Sequence, residues 1–462
     1  MFDTISKVLA KSDGFCEIRI QDRTTRQINV KNGLLHTSVV RRSLGAGIRV
    51  IRNGCWGFAS TSTLDTRNLT KALKQAETSA IMLAKQAKKK IPKFDTSKLV
   101  SVDSTNRSSV DLNNITVDEK IALALSIEER IRKSSKQIVT STTLYQEYVD
   151  EKWLMTTDGA KCHTFEARPQ FYTMAVASKD GELATSMNAN GVTGGMNELF
   201  EKFTPEQMAD KTSKLAVDKL SAPYANNGVF DVVLSPAMVG ILAHEAIGHT
   251  VEADFVMSGS VAQGKIGKKV ASDLVTLADA GNNPTRVGHP AGTIFVDDEG
   301  VEVQDTVIIE NGVMKSYLHD RQSAHQFGVE PTGNARAWSH TDTPIIRMRN
   351  TYIKPGKNSF DEIIDSTKNG YYLTFPGSGQ ADSNAEFMFG CEEIYEIKDG
   401  KVGRLMKNAT ISGQAFDVLM SVDMVGNDFD WAMGSGHCGK GQPAKVDGGG
   451  PTIRCKAMIG GR

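Results

Sequence analysis

The chain has 462 residues, a mass of 50.1 kDa, and 54 basic against 54 acidic side chains. With 40% apolar and 23% charged residues it has globular composition, which excludes a mainly disordered or collagen-like chain. A net charge of zero argues against a general nucleic-acid binder and gives no reason to expect a membrane-surface protein.

At roughly 150 residues per domain, this length suggests two or three domains. The opening MFDTISKVLAKSDG lacks the apolar core of a signal peptide. No stretch approaches the ~18 uninterrupted apolar residues of a spanning helix. The cysteines at 16, 55, 162, 391, 438 and 455 form no CxxC pair and no disulfide framework. Free thiols without an export signal are expected in a reducing cytoplasm.

An amphipathic helix with Ile5, Val8 and Leu9 on one face is expected first. Alternating strands follow at 15–20, 26–30, 36–40 and 47–51, with hairpin turns at Asn32-Gly33 and Asn53-Gly54. A long helix is expected over 64–88, closed by Lys88-Lys89-Lys90 and Pro92. The polar stretch 94–115 reads as a loop. Thr116-x-x-Glu119 is a capping box opening a helix to about Lys133. Strands are expected again over 137–190, punctuated by Asp158-Gly159 and Asp180-Gly181. Thr204-Pro205-Glu206-Gln207 then caps another helix.

The composition changes near 222–228. GVFDVVLSP (228–236) is a strand running into a helix capped by Ser235-Pro236. TIFVDDEG, TVIIENGVMKSYL, TPIIRMRNTYI and EFMFGCEEIYEIKDGKVGRL read as strands, with hairpins at Asn311-Gly312 and Asp399-Gly400. Ser359-Phe360-Asp361-Glu362 caps a short helix. Residues 434–462, with nine glycines, read as a loop-rich tail. Runs of strands and runs of helices give an α+β class. The expectation is two domains. Residues 1–222 would carry mixed antiparallel sheets and long helices. Residues 223–462 would be strand-rich and carry a metal-site helix.

That metal site is suggested by His244-Glu245-Ala246-Ile247-Gly248-His249, followed by Glu252 and Asp254. Two imidazoles bracketing a carboxylate suit a zinc hydrolase, in which the Glu deprotonates a water. In the common HExxH spacing the histidines are ~40° apart around the helix; five residues apart they are ~140° apart. Sharing one metal therefore requires local unwinding or a π-bulge, and Gly248 is the residue most able to permit it. A third ligand is also needed. Glu252, Asp254, His289, His319, His325, His340, His437 and the cysteines are all candidates. Cys438 stands out within the glycine-rich GSGHCGKG, although most free cysteines are simply small buried residues.

HEAIGHTVEAD (244–254), DDEG (297–300), PTGNARAWSH (331–340), RMRNTYIKPGK (347–357), the Gly-Ser-Gly-Gln run at 377–380, SVDMVGND (421–428) and GHCGKGQP (436–443) occur in this order. In these motifs the chain resembles the TldD/PmbA family of metallopeptidases, on its catalytic TldD-like branch. The resemblance implies zinc bound by His244, His249 and Cys438, with Glu245 as the catalytic base. His437, where a small residue is common, departs from the pattern and is either a supporting group or an alternative ligand. Glu252 and Asp254 are expected to orient a ligand imidazole, and Tyr317, His319 and Arg336 are chemically able to stabilise an oxyanion. The resemblance further implies extended, unstructured peptide substrates and a homodimer or a heterodimer with a PmbA/TldE-like subunit. No nucleic acid or membrane is expected as a partner. The rival readings are a non-catalytic or structural-zinc subunit of such a complex and a metal-dependent amidase on non-peptide substrates.

Overall fold

Asn32-Gly33, Asn53-Gly54 and Asp180-Gly181 take positive φ at both residues, from 49° to 85°. This is the geometry a two-residue hairpin demands and that Asn/Asp-Gly supplies. The computed structural model describes residues 1–87, 90–91, 98–104, 112–382, 384–407 and 409–461. Lys88, Lys89, Pro92 and half of the 94–115 stretch lie outside the described residues; in the other half the expected loop holds a strand, Ser101–Ser104, and a 3-10 turn, Leu112–Asn114.

The four short strands expected near the N-terminus are two long ones, Cys16–Lys31 and Leu34–Arg52, followed by Cys55–Thr61. Pairing runs unbroken from Cys16↔Val50 to Thr25↔Arg41 and on to Lys31↔Leu34, with one shift at Asn29/Val30. Polar residues between the apolar runs thus continue the strand. Ile138–Thr156 and Lys161–Lys179 extend this sheet, and Glu182–Gly191 and Ser101–Ser104 both pair with Lys161–Lys179. The helices lie at Phe2–Leu9, Thr66–Ala84, Val117–Ser134 and Pro205–Lys219. Capping boxes form at Thr116 and Thr204. Ile18 and Ile20 pack under the first two helices, and Ile28 and Val30 under the second two. All four helices therefore cover the even-numbered face of Cys16–Lys31.

The first half of the odd-numbered face does not meet water. Glu17, Arg19 and Gln21 are 2%, 2% and 1% exposed. They face residues from the second half of the chain. Arg49 bridges Glu17 and Glu299 at 2.7 and 2.6 Å, and Lys152 pairs with Asp298 at 3.0 Å.

In the second half, Gly228–Leu234 pairs with Asn369–Ala381 on one side and Ile453–Gly460 on the other. Ala409–Gln414 and Glu386–Lys398 continue from Ile453–Gly460, and Glu386–Lys398 pairs back onto Asn369–Ala381. These five strands close into a ring. A six-stranded sheet with Leu277–Ala280, Asn350–Ile353 and Asp447–Gly450 near its middle packs alongside. Two expectations are corrected here. The glycine-rich C-terminus is no loop: Asp447–Gly450 and Ile453–Gly460 are largely buried strands. The glycines serve close packing, since a Cβ on Gly240 would meet the Gly448 backbone at 2.6 Å. TIFVDDEG is no strand but a turn organised by its carboxylates. Asp297 accepts from the N–H groups of Glu299, Val301 and Ala335, and Asp298 from that of Ala337. Among the described residues, no helix is long and apolar enough to cross a membrane. The architecture is α+β, with mixed sheets and dispersed helices.

Candidate metal centre

Ser235 caps the helix Pro236–Ile241, its hydroxyl accepting from Met238 N–H. The helix then widens into a π-helix over Leu242–Gly248 and tightens to a 3-10 turn at His249–Val251. With i→i+5 bonding, residues five apart come round to one side. This removes the angular objection to the HExxxH spacing. Gly248 contributes differently from expectation. Its φ of −54° and ψ of −47° are ordinary helical values, so its conformational freedom is not what is used. A Cβ there would lie 1.9 Å from Met348 Sδ, so glycine leaves the room that the buried Met348 side chain fills. Gly248→Ala is expected to destabilise by about 1–3 kcal/mol through overpacking. An unchanged urea midpoint would refute this.

One donor atom each from His244, His249 and Cys438 lies within 4.8 Å of the others. Cys438 Sγ is 3.1 Å from His249 Nε2. His244 is fully buried, and among the described residues neither ring nitrogen has a hydrogen-bond partner. Burial opposes a thiolate at Cys438, but the adjacent His244 and His249 outweigh it and bring the thiol down to about 4. Burial likewise opposes an imidazolium at His249, yet Cys438 and Glu252 raise it to about 10. His244 is raised too, the nearby thiolate outweighing its burial. Two nitrogens and a thiolate, with an orphaned buried imidazole among them, fit a borderline-soft divalent cation such as zinc.

His249 Nδ1 lies 3.0 Å from Glu252 Oε2, an acidic partner that fixes ring orientation. Asp254 does not reach a histidine ligand. It binds Lys440 Nζ at 2.7 Å, while Lys440 also contacts Glu252 at 3.2 Å and the Ile346 carbonyl at 3.1 Å. Glu245 Oε2 is 3.8 Å from His249 Nε2. It lines an open cleft of about 320 Å³ with His249, Phe255, Gly379, Asp382 and Lys440.

Cys438 sits on a hairpin, His437–Gly439 against Pro443–Lys445. Arg347, fully buried, clamps it by donating to the Cys438 carbonyl at 2.6 Å and the Gln442 carbonyl at 2.5 Å. Arg336 donates to the carbonyls of Met348 and Lys445. Trp338 N–H donates to the Gln442 side chain. The motifs at 331–340 and 347–357 thus hold the cysteine hairpin. Lys440 and Arg347 were not singled out by sequence. The available signal for Lys440 was its place two residues after Cys438, in the turn of the cysteine hairpin.

The other candidates lie elsewhere. His437 packs edge-on against Tyr148 and Trp338. His289 contacts Glu201 and His319 contacts Ser323. Tyr317 donates to the Ala262 carbonyl. Neither Tyr317, His319 nor Arg336 lines the cleft beside Glu245.

Residues 227–461 match the PmbA/TldA metallopeptidase C-terminal domain, residues 16–80 its domain 1, and residues 110–220 its central domain. A metalloprotease of Methanothermobacter thermautotrophicus is 37% identical over 97% of this chain and 95% of its own length. A metalloprotease of Methanocaldococcus jannaschii is 31% identical over 99% of both chains. The crystal structure of TldE from Thermococcus kodakarensis superposes with a TM-score of 0.76 over 99% of both chains, at 17% identity. That last likeness concerns the fold. The sequence matches span almost the whole chain, and with them this protein belongs to the PmbA/TldD family of metallopeptidases.

Proposed function

We propose that the protein is a zinc-dependent peptidase acting on unstructured peptides or small disordered proteins. The observation that carries this reading is the convergence of His244, His249 and Cys438 within 4.8 Å, beside a cleft lined by Glu245. These three residues would hold the ion, and zinc bound there supplies Lewis acidity that acidifies a water and polarises a carbonyl. Glu245 accepts the proton of the attacking water and returns it to the leaving amine. Glu252 orients His249, Lys440 ties Glu252 and Asp254 together, and Arg347 holds the Cys438 hairpin. Gly379, from strand Asn369–Ala381, lines the cleft and brings main chain to its wall. Such a wall suits an extended substrate recognised by its backbone, with little sequence preference.

A structural zinc site has four protein donors; among the described residues this cluster has three. That favours the catalytic reading over a structural-zinc subunit. We further propose division into domains at 1–222 and 223–462, a cytoplasmic location, and assembly as a homodimer or with a PmbA/TldE-like subunit. The test is cleavage of unstructured peptides, with small amides in parallel. Hydrolysis should stop on chelation and return with zinc. Activity on small amides alone would favour the amidase, and no activity with stoichiometric zinc would favour a non-catalytic subunit.

A further inference from the structure

The buried polar face of the first sheet encloses a second polar space. Six cations line it, Arg19, Arg23, Lys152, Arg168, Arg336 and Lys445, around a volume of about 40 Å³. Three have carboxylate partners: Arg23 with Asp150 at 2.7 Å, Lys152 with Asp298 at 3.0 Å, and Arg168 with Glu166 at 2.6 Å. Among the described residues, the other three form no ion pair, although Arg19 and Arg336 lie near enough to Asp298, and Lys445 to Asp447, to feel their charge. Arg19 donates to the carbonyls of Ser339 and Asp342, Arg336 to those of Met348 and Lys445, and Lys445 to the Gln170 side-chain oxygen. Arg19, Arg336 and Lys445 are 2%, 9% and 2% exposed. Among the described residues, Arg19 Nε and Nη1 have no hydrogen-bond partner. Asp297 also lines the space, but it accepts three backbone N–H groups. Burial, reinforced by Glu299, holds its carboxyl well above the usual range. Both of its oxygens are already taken by backbone donors.

Lys445 can relieve its own burial by losing a proton, since burial brings it down to about 7. The guanidinium of Arg19 cannot. An interior charge without a partner is costly, and interior charges are ordinarily paired. We propose that this space binds a small inorganic oxyanion of the phosphate or sulfate class, with Arg19 as its principal donor. About 10–15 Å³ of such space holds one water. A space of 40 Å³ thus takes a tetrahedral oxyanion but excludes a nucleotide or peptide. Planar guanidinium donors match oxyanion geometry. Pro443, Ala444 and Lys445 also line the space, and Ala444 is paired with Cys438 across the hairpin. The anion would bind the first sheet to the strand behind Cys438.

Equilibrium dialysis of the full chain against radiolabelled inorganic phosphate, at fixed ionic strength, tests this. About one phosphate per chain should bind saturably, displaced by sulfate but not by equal chloride. Protein stripped of metal by chelation should bind phosphate as the untreated protein does, because the donors to the anion are not those of the metal. Arg19→Gln should weaken binding at least tenfold. Arg19→Lys, which keeps the charge and loses the planar fork, should also weaken it, and serves if Arg19→Gln fails to fold. Lys71→Gln, on a surface cluster with Lys11, Arg67 and Lys74, should bind normally. The inference is overturned by absence of saturable phosphate binding, which would leave water alone in the space. Unchanged binding by both Arg19 variants, or loss of binding on removal of metal by chelation, would overturn it as well.

Discussion

Glu245→Gln is expected to lower peptide hydrolysis by about 10²–10⁴-fold, the usual contribution of a positioned acid–base group. The exchange is nearly isosteric and removes the proton acceptor. Glu245 is outside the three-donor cluster, and its side chain is 28% exposed. Zinc content and melting temperature should therefore stay at wild-type values. A variant that keeps its zinc and its activity would remove Glu245 from the chemistry. A variant that loses zinc would make the carboxylate a ligand.

Cys438→Ala should act on the other half of the site. It removes the one sulfur of the donor set, and zinc affinity should fall by more than ~100-fold. Supporting partners of metal ligands are themselves worth about 10–100-fold, which is the loss expected for Glu252→Gln. Peptidase activity should fall with zinc occupancy. The hairpin should survive, because Arg347 and Arg336 grip main-chain carbonyls rather than the thiol. Metal titration with a chromogenic competitor measures both variants. Wild-type affinity in Cys438→Ala would transfer the third ligand to another residue.

The local devices of the fold were readable because their chemistry is local. Asn-Gly turns, the Thr116 and Thr204 capping boxes and the Ser235-Pro236 helix start depend on neighbours in sequence. The HExxxH string announced both histidines and the need for a non-α turn between them. The rest depended on partners distant in sequence. Alternation along Cys16–Lys31 encodes two faces, but not whether the polar face meets water or another polar surface. Here Glu17, Arg19 and Gln21 meet the second half of the chain. The glycines at 448–450 resembled a loop because glycine marks both turns and close backbone approaches. Gly240, Asp430 and Val239, outside the run itself, reveal which applies. Gly248 carries the same ambiguity, resolved by Met348. Arg347 stood in the quoted 347–357 motif, but nothing there indicated its role, since its partner is the backbone of Cys438 rather than a recognisable side chain.

The most direct test of the metal site is X-ray absorption at the zinc edge of the purified wild-type chain. The expected spectrum has one sulfur at about 2.3 Å and two imidazole nitrogens at about 2.0–2.1 Å, with a light-atom ligand completing the shell. A shell without sulfur would contradict the His244, His249 and Cys438 site. A shell of four protein donors would contradict its catalytic use.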